Sequence, residues 1–275
     1  MNSRVPELPA YERPPVSEVS VAVTFEPLDG LSAFAIGEIW TQIFKAEFPQ
    51  SQEQPPLVPQ VEQFGAMGSQ PQIKIQFLPG PPSPRFWFLD PSGSDLVQIQ
   101  RDWFSRNWRR TSAEQVYPRF PAIRDPFERE LVRLSAFLSD QGIGTLTPVQ
   151  CEVSYVNPIV PTDLGRVSSF LRQWRDTEGD FLKEPENLQA NFRYLIADDG
   201  GKPFGRLHVG LQPAIQVTDG SPIYLLTLTA RGAPNGYEIA DVMGFVDIGH
   251  QWIVRGFADI ATDEMQEAWG RIREP

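Results

Sequence analysis

Hydrophobic residues recur along this chain with two periods, two and about 3.6, and the switches between them mark its elements. Val19, Val21, Val23 and Phe25 alternate with Ser20, Ala22 and Thr24, which predicts a half-buried strand. After the turn Pro27-Leu28-Asp29-Gly30, residues 31–48 carry Ile36, Ile39, Trp40 and Ile43 at helical spacing. This predicts an amphipathic helix that covers the sheet and stops at Pro49. Ile73, Ile75 and Phe77 alternate with Lys74 and Gln76, a second strand, which Pro79-Gly80-Pro81-Pro82 ends. Arg85-Phe86-Trp87-Phe88-Leu89, the turn Asp90-Pro91-Ser92-Gly93 and the run through Leu96, Val97 and Ile99 predict two more.

Asp125-Pro126-Phe127-Glu128 reads as a helix start, with Asp125 as cap, Pro126 in the first turn and Glu128 in a capping-box-like place. Phe127, Leu131, Leu134 and Leu138 form its apolar face and Gly142 its stop. Val149, Cys151, Val153 and Tyr155 alternate with Gln150, Glu152 and Ser154 as a strand ended by Asn157-Pro158. Further on, Val167, Phe170, Leu171 and Trp174 predict a short helix. Residues 192–197 and 205–211 flank Asp198-Asp199-Gly200-Gly201 as a hairpin, and 223–230 is another strand. Asp247 is placed to cap a helix bearing Trp252, Ile253, Phe257 and Ile260, and Thr262 to cap one bearing Met265, Trp269 and Ile272. The prolines at 6, 9, 14 and 15 keep the front of the chain an extended arm, and those at 49, 55, 56, 59 and 71 mark a loop or edge-running segment. Strands grouped between helices give an α+β fold of antiparallel sheets flanked by helices. The expected division is an N-terminal unit, 1–160, and a C-terminal unit, 161–275, that ends in helices; the two halves are loosely similar, each with strands closed by a helix.

Composition narrows the function classes. The chain has 275 residues, 41% hydrophobic, enough for a sizeable core. A net charge of −11 argues against a general polyanion binder. One cysteine, Cys151, excludes an intrachain disulfide and suits a reducing compartment. No apolar run reaches membrane-spanning length and the start has no signal-peptide core, so the expectation is a cytoplasmic protein that does not enter a membrane.

Chemistry is sparse. His208 and His250 show no metal-ligand spacing and read as structural, and Cys151, on the apolar side of its strand, reads as an inert thiol. Gly142-Ile143-Gly144-Thr145 follows a helix and precedes a strand, the reverse of a dinucleotide loop. The acid pairs Asp198-Asp199, Asp259 with Asp263, and Glu264 with Glu267 read as solvated surface. No catalytic residue, metal or cofactor is implied. The loaded stretch is 84–120. Between Arg101 and Arg124 six arginines face two acids, with Trp103, Phe104, Trp108, Tyr117 and Phe120 interleaved. That composition suits a protein-interface hot spot, a single-stranded nucleic-acid site, or core aromatics with surface ion pairs. The candidate binding residues are Arg85, Arg106, Asn107, Trp108, Arg109, Arg110 and Tyr117.

Tyr11-Glu12-Arg13-Pro14-Pro15-Val16-Ser17-Glu18, Pro84-Arg85-Phe86-Trp87-Phe88, Asn107-Trp108-Arg109-Arg110, Tyr117-Pro118-Arg119-Phe120, Tyr155-Val156-Asn157-Pro158 and Trp269-Gly270-Arg271 occur in that order. Together they resemble a sporadically distributed bacterial family of unassigned function. The resemblance implies no catalytic residue; the patchy distribution implies an antitoxin, immunity or defence-accessory role. The expected function is a non-enzymatic protein-interaction module whose partner is a toxin or defence effector. Nucleic-acid or nucleotide recognition through residues 101–120, which the net charge disfavours, and a carboxylate-dependent hydrolase are the alternatives.

Overall fold

The structure, a computed structural model, describes residues 7–64, 84–160, 167–176, 181, 187–216 and 218–272. The strand expected at 73–77 lies outside the described residues. In chain order the elements are β1 (Ala10–Tyr11), β2 (Glu18–Phe25), α1 (Ala33–Ile39), β3 (Gln50–Gln54), β4 (Arg85–Leu89), β5 (Asp95–Gln100) and β6 (Trp103–Arg109). Then come α2 (Pro121–Asp140), β7 (Pro148–Ile159), β8 (Ala190–Ala197), β9 (Pro203–Ile215), β10 (Pro222–Gly232), α3 (Ile239–Ile260), α4 (Asp263–Ala268) and β11 (Arg271–Ile272).

The fold is α+β, built on a nine-stranded antiparallel sheet in the order β3-β4-β5-β6-β2-β7-β10-β9-β8, with β1 and β11 paired separately. Strands β2 to β7, before residue 160, and β8 to β10, after it, occupy opposite parts of the large sheet and meet where β7 pairs with β10. Strand register shows which side chains share a face. Val19, Val21 and Val23 of β2 lie opposite Trp108, Arg106 and Phe104 of β6, and opposite Tyr155, Val153 and Cys151 of β7. This face is buried under α1, α2 and α3. Gly249 lets α3 settle close to it: a Cβ there would stand 3.2 Å from Val153 and 3.3 Å from Ala230.

The other face is polar, with Ser154 and Thr229 bonded at 2.7 Å across β7 and β10. Residues 55–64 run over it as a strap. The Gln100 side chain accepts from the Leu57 amide and donates to the Leu57 carbonyl, both at 2.8 Å. Gln150 accepts from the Glu62 amide at 2.7 Å and donates to the Gln60 carbonyl. A carboxamide carries one donor and one acceptor group, so each glutamine meets the strap as a neighbouring strand would. Burial alone would raise the Glu62 carboxyl, but hydrogen bonds from His208 and Arg206 outweigh it and hold it at about 2.

Several boundaries differ from the sequence pattern. The helix expected over 31–48 is α-helical only to Ile39 and continues as a π-helical turn, Trp40–Phe44, closed by the Lys45 amide on the Trp40 carbonyl at 2.7 Å. Helix α2 begins at Pro121 rather than beyond Asp125. Pro121 supplies the favoured first-turn proline, while Pro126 sits inside, where the carbonyl it leaves free belongs to solvent-exposed Ala122. Asp125 is therefore not a cap; it pairs with Arg124 at 3.2 Å. Helix α3 starts eight residues before Asp247, at a capping box of Glu238 and Asp241, and Asp247 instead holds Arg124 at 3.0 Å. Thr262 does cap, accepting from the Met265 amide at 3.4 Å. That last helix ends at Ala268, because Gly270 takes φ 69° and turns Arg271 and Ile272 into β11. The helix expected around 167–174 is a single 3-10 turn, Val167–Ser169, and β7 runs through Asn157-Pro158 to Ile159.

Candidate functional site

The arm at the front of the chain folds back over α3. Its β1 pairs with β11, and the Glu12 and Arg13 amides donate to the carbonyls of Gly270 and Trp269 at 2.9 and 3.0 Å. The Tyr11 ring meets Phe257 edge-on at 5.6 Å, and its hydroxyl donates to buried Gln266 at 3.3 Å. Between this arm, β7, α3 and the segment leading into α2 lies a cavity of about 240 Å³. Tyr11, Tyr117, Phe120, Tyr155, His250 and Ile253 are among the side chains lining it, and Arg119 stands at its mouth.

One hydrogen-bonded line crosses the cavity wall. Tyr117 Oη is 2.9 Å from Tyr155 Oη, which is 3.0 Å from His250 Nδ1. Phe120 stacks on the imidazole at 3.8 Å and 6°, and Trp108 backs Tyr117 at 5.4 Å. Burial pushes the Tyr117 hydroxyl up to about 12, raises the Tyr155 hydroxyl well above its usual value, and pushes His250 down to about 4 against the opposing charge of Asp247. At neutral pH the line is therefore uncharged. Its central hydroxyl has one proton. It either donates to Nδ1 and accepts from Tyr117, or donates to Tyr117 and accepts from an Nδ1–H, so the other imidazole nitrogen is a donor in one arrangement and an acceptor in the other.

Arg119 has φ 75°, the only non-glycine residue with positive φ among those described. The left-handed region costs a side chain about 1–2 kcal/mol. Here it lets Tyr117 drop into the cavity and Phe120 reach His250 within a few residues. The guanidinium lies 6.0 Å from the Tyr117 ring centroid and 3.5 Å from the Glu12 carbonyl, with no carboxylate partner among the described residues.

The sequence-predicted binding residues do not form one surface. Tyr117 is in the cavity wall and Trp108 behind it. Arg106 points to the same side of the sheet, where it is buried between Glu130 of α2 and Asp95, the latter at 2.7 Å. Alternate residues of β6 turn the other way. Asn107 accepts from Gln98 and donates to Glu18, both at 2.8 Å. Arg109 donates to the Gly93 carbonyl at 2.8 Å and, with Arg85, flanks the Trp87 ring at 5.7 and 5.4 Å. Arg110 is exposed beyond the strand end. So Arg85, Asn107 and Arg109 come together on the polar face, and Arg106, Trp108 and Tyr117 on the helical one.

Tyr11, Phe120, Tyr155 and His250 are site residues that the periodicity alone does not single out. The stretches 11–18, 107–110, 117–120, 155–158 and 269–271 line this cavity or pack directly against it. Cys151 is buried, and burial raises its thiol far above the usual range. Asp263 pairs with Arg172 at 2.9 Å, and Asp198 accepts from the Gly200 and Lys202 amides of the β8–β9 turn. Among the described residues no three His, Cys, Asp or Glu side chains are grouped to hold a metal, and no helix is long and apolar enough to cross a membrane. No family model, curated protein or solved structure matches the chain.

Proposed function

We propose that this chain is a binding protein whose ligand is a small carboxylate with an aromatic or branched apolar body, held in the cavity beneath the front arm. An apolar cavity of about 150 Å³ accommodates benzene, so about 240 Å³ leaves room for a substituted ring. Concave apolar walls with a few convergent polar groups are what small-ligand sites use. The Tyr117–Tyr155–His250 line supplies adjustable polarity inside, and Arg119 a cation at the mouth. The observation that carries the reading is Arg119: a guanidinium with no acid partner among the described residues, kept at the cavity edge in a costly backbone conformation. The ribbon 101–120 contributes Tyr117 to this site, with Trp108 as its support.

Calorimetric titration of benzoate, phenylacetate and 4-hydroxyphenylacetate tests it. At least one should bind, and its neutral benzyl-alcohol counterpart should bind at least tenfold more weakly, as expected for losing a charge-assisted hydrogen bond worth about 1.5–3 kcal/mol. Arg119→Gly should lose the same tenfold while its stability stays within about 1 kcal/mol of the parent, since glycine relieves the left-handed strain. If none of the three carboxylates binds, or if Arg119→Gly binds them unchanged, the reading fails.

A further inference from the structure

A nine-stranded sheet is roughly 40 Å wide at about 4.8 Å per strand, and a helix with its side chains covers roughly 10 Å of that width. Four helical positions are needed to roof one face, and the described residues fill three. The α1 segment and its π-helical continuation lie over β4, where Trp40 and Phe44 stack on Phe88 at 6.1 and 6.0 Å. Helix α2 lies over β6 and β2, and α3 over β7 and β10. The described roof stops there. Beyond α3 the inner face of β9 and β8 borders a groove of about 850 Å³.

Its floor is apolar, with Leu207, Ile196, Phe204 and Tyr194, and its inner wall is Trp252 and Ile248 of α3. Among the described residues no strand pairs with the outer edge of β8, where Tyr194 is 39% exposed. A long apolar edge of this kind ordinarily has a cover. The rim is acidic: Asp198 and Asp199 at the β8–β9 turn and Asp259 on α3. Arg255, the one cation among the described lining residues, is already engaged.

We propose that this fourth position, which none of the described residues fills, is a docking groove for an amphipathic helix of a partner protein, with an apolar stripe facing β8 and β9 and lysines or arginines along its flanks. An apolar floor between acidic borders is complementary to that helix, and the overall charge of −11 steers a basic partner towards it. A second copy of this chain, equally acidic, is a poor match.

The probe is a synthetic Leu/Lys amphipathic peptide about four turns long, with its Leu/Glu counterpart, titrated into the full chain by calorimetry. The Lys peptide should bind in the micromolar range and the Glu peptide should not. Asp199→Lys with Asp259→Lys removes two exposed rim acids without touching the turn contacts of Asp198, and should weaken binding at least tenfold. Glu26→Lys with Glu53→Lys changes the net charge equally at exposed sites away from the groove, and should leave affinity within twofold. Absence of binding by the Lys peptide overturns the proposal. So does equal weakening by both charge-reversed pairs, which would mark non-specific attraction. A concentration-dependent dimer lost in Asp199→Lys with Asp259→Lys would assign the groove to a second copy and also overturn it.

Discussion

At the scale of single residues, Arg106 shows how a charge can sit in a β-strand without belonging to a surface. Register places it among Val21, Val97 and Val153, on the buried face. It is held there by Glu130 and Asp95, but its Nε and the Glu130 Oε2 have no hydrogen-bond partner among the described residues. Taking both ions out of water is costly, and pairing offsets that only in part. Arg106→Leu alone should therefore lower stability by about 3–5 kcal/mol, because it strands the Glu130 carboxyl. Arg106→Leu combined with Glu130→Leu should recover most of that loss in denaturant unfolding. A double variant no more stable than the single one would show that the pair adds more than it costs. From the sequence, an arginine inside a run of aromatics read as an outward contact; its buried role depends on a glutamate 24 positions away on a helix. The period of two was legible, and it already required that Arg106 and Trp108 oppose Asn107 and Arg109 once 103–109 was a strand. Which side faced in was not legible, because Arg106 breaks the apolar alternation that normally decides it.

At the scale of elements, local signals placed most strands, the hairpin at Asp198-Gly201 and the Thr262 cap. They missed the starts of α2 and α3. Asp125 and Asp247 have the chemistry of caps, yet both lie within helices whose upstream turns carry the stronger arrangement, Pro121 in one and Glu238 with Asp241 in the other. The cavity was hidden for a different reason. Its polar line joins residues 38 and 95 positions apart, on β7, on α3 and in the segment leading into α2, and no periodicity links them. The strap was hidden likewise, since a proline-rich polar run carries no period at all. Its attachment gives a test at this scale. Gln150→Ala leaves the Glu62 amide and Gln60 carbonyl without their partner and should cost about 2 kcal/mol locally. Limited proteolysis should then cut within 55–64 several-fold faster than in the parent, while the sheet remains protected in hydrogen exchange. Unchanged cleavage would mean that Gln100 and the Glu62 cluster suffice to hold the strap.

At the scale of the whole molecule, four groups shape the response to pH. His250, depressed from 6.5 to about 4, leaves the unfolded chain holding more protons across that window, so its contribution is lost as pH falls through it, on the order of 3 kcal/mol in all. Glu130, raised by burial to about 7, acts in the opposite sense between 4.5 and 7 and nearly cancels it. Glu62, held at about 2, loses its contribution as pH drops below 4.5. Tyr117, raised to about 12, loses its contribution as pH climbs above 10. Thermal unfolding should show a plateau from about pH 5 to 9 with a fall on each side. In Glu130→Gln the acid side of the plateau should tilt, with Tm falling from about pH 6.5 downward. A variant that keeps the flat acid shoulder would show that His250 titrates normally.

The two glutamine clasps on the polar face also bear on how the sheet avoids misassembly. A shift of β7 by one residue against β2 would turn Gln150 inward and present an apolar neighbour to the Glu62 amide. A comparable slip of β5 would turn Gln100 away from Leu57 and offer it Ile99 or Arg101, neither of which can both donate and accept. The crossing segment can close only over strands that are already in step, so it acts as a proofreading latch: a chain that has zipped its ladder one notch out cannot fasten it.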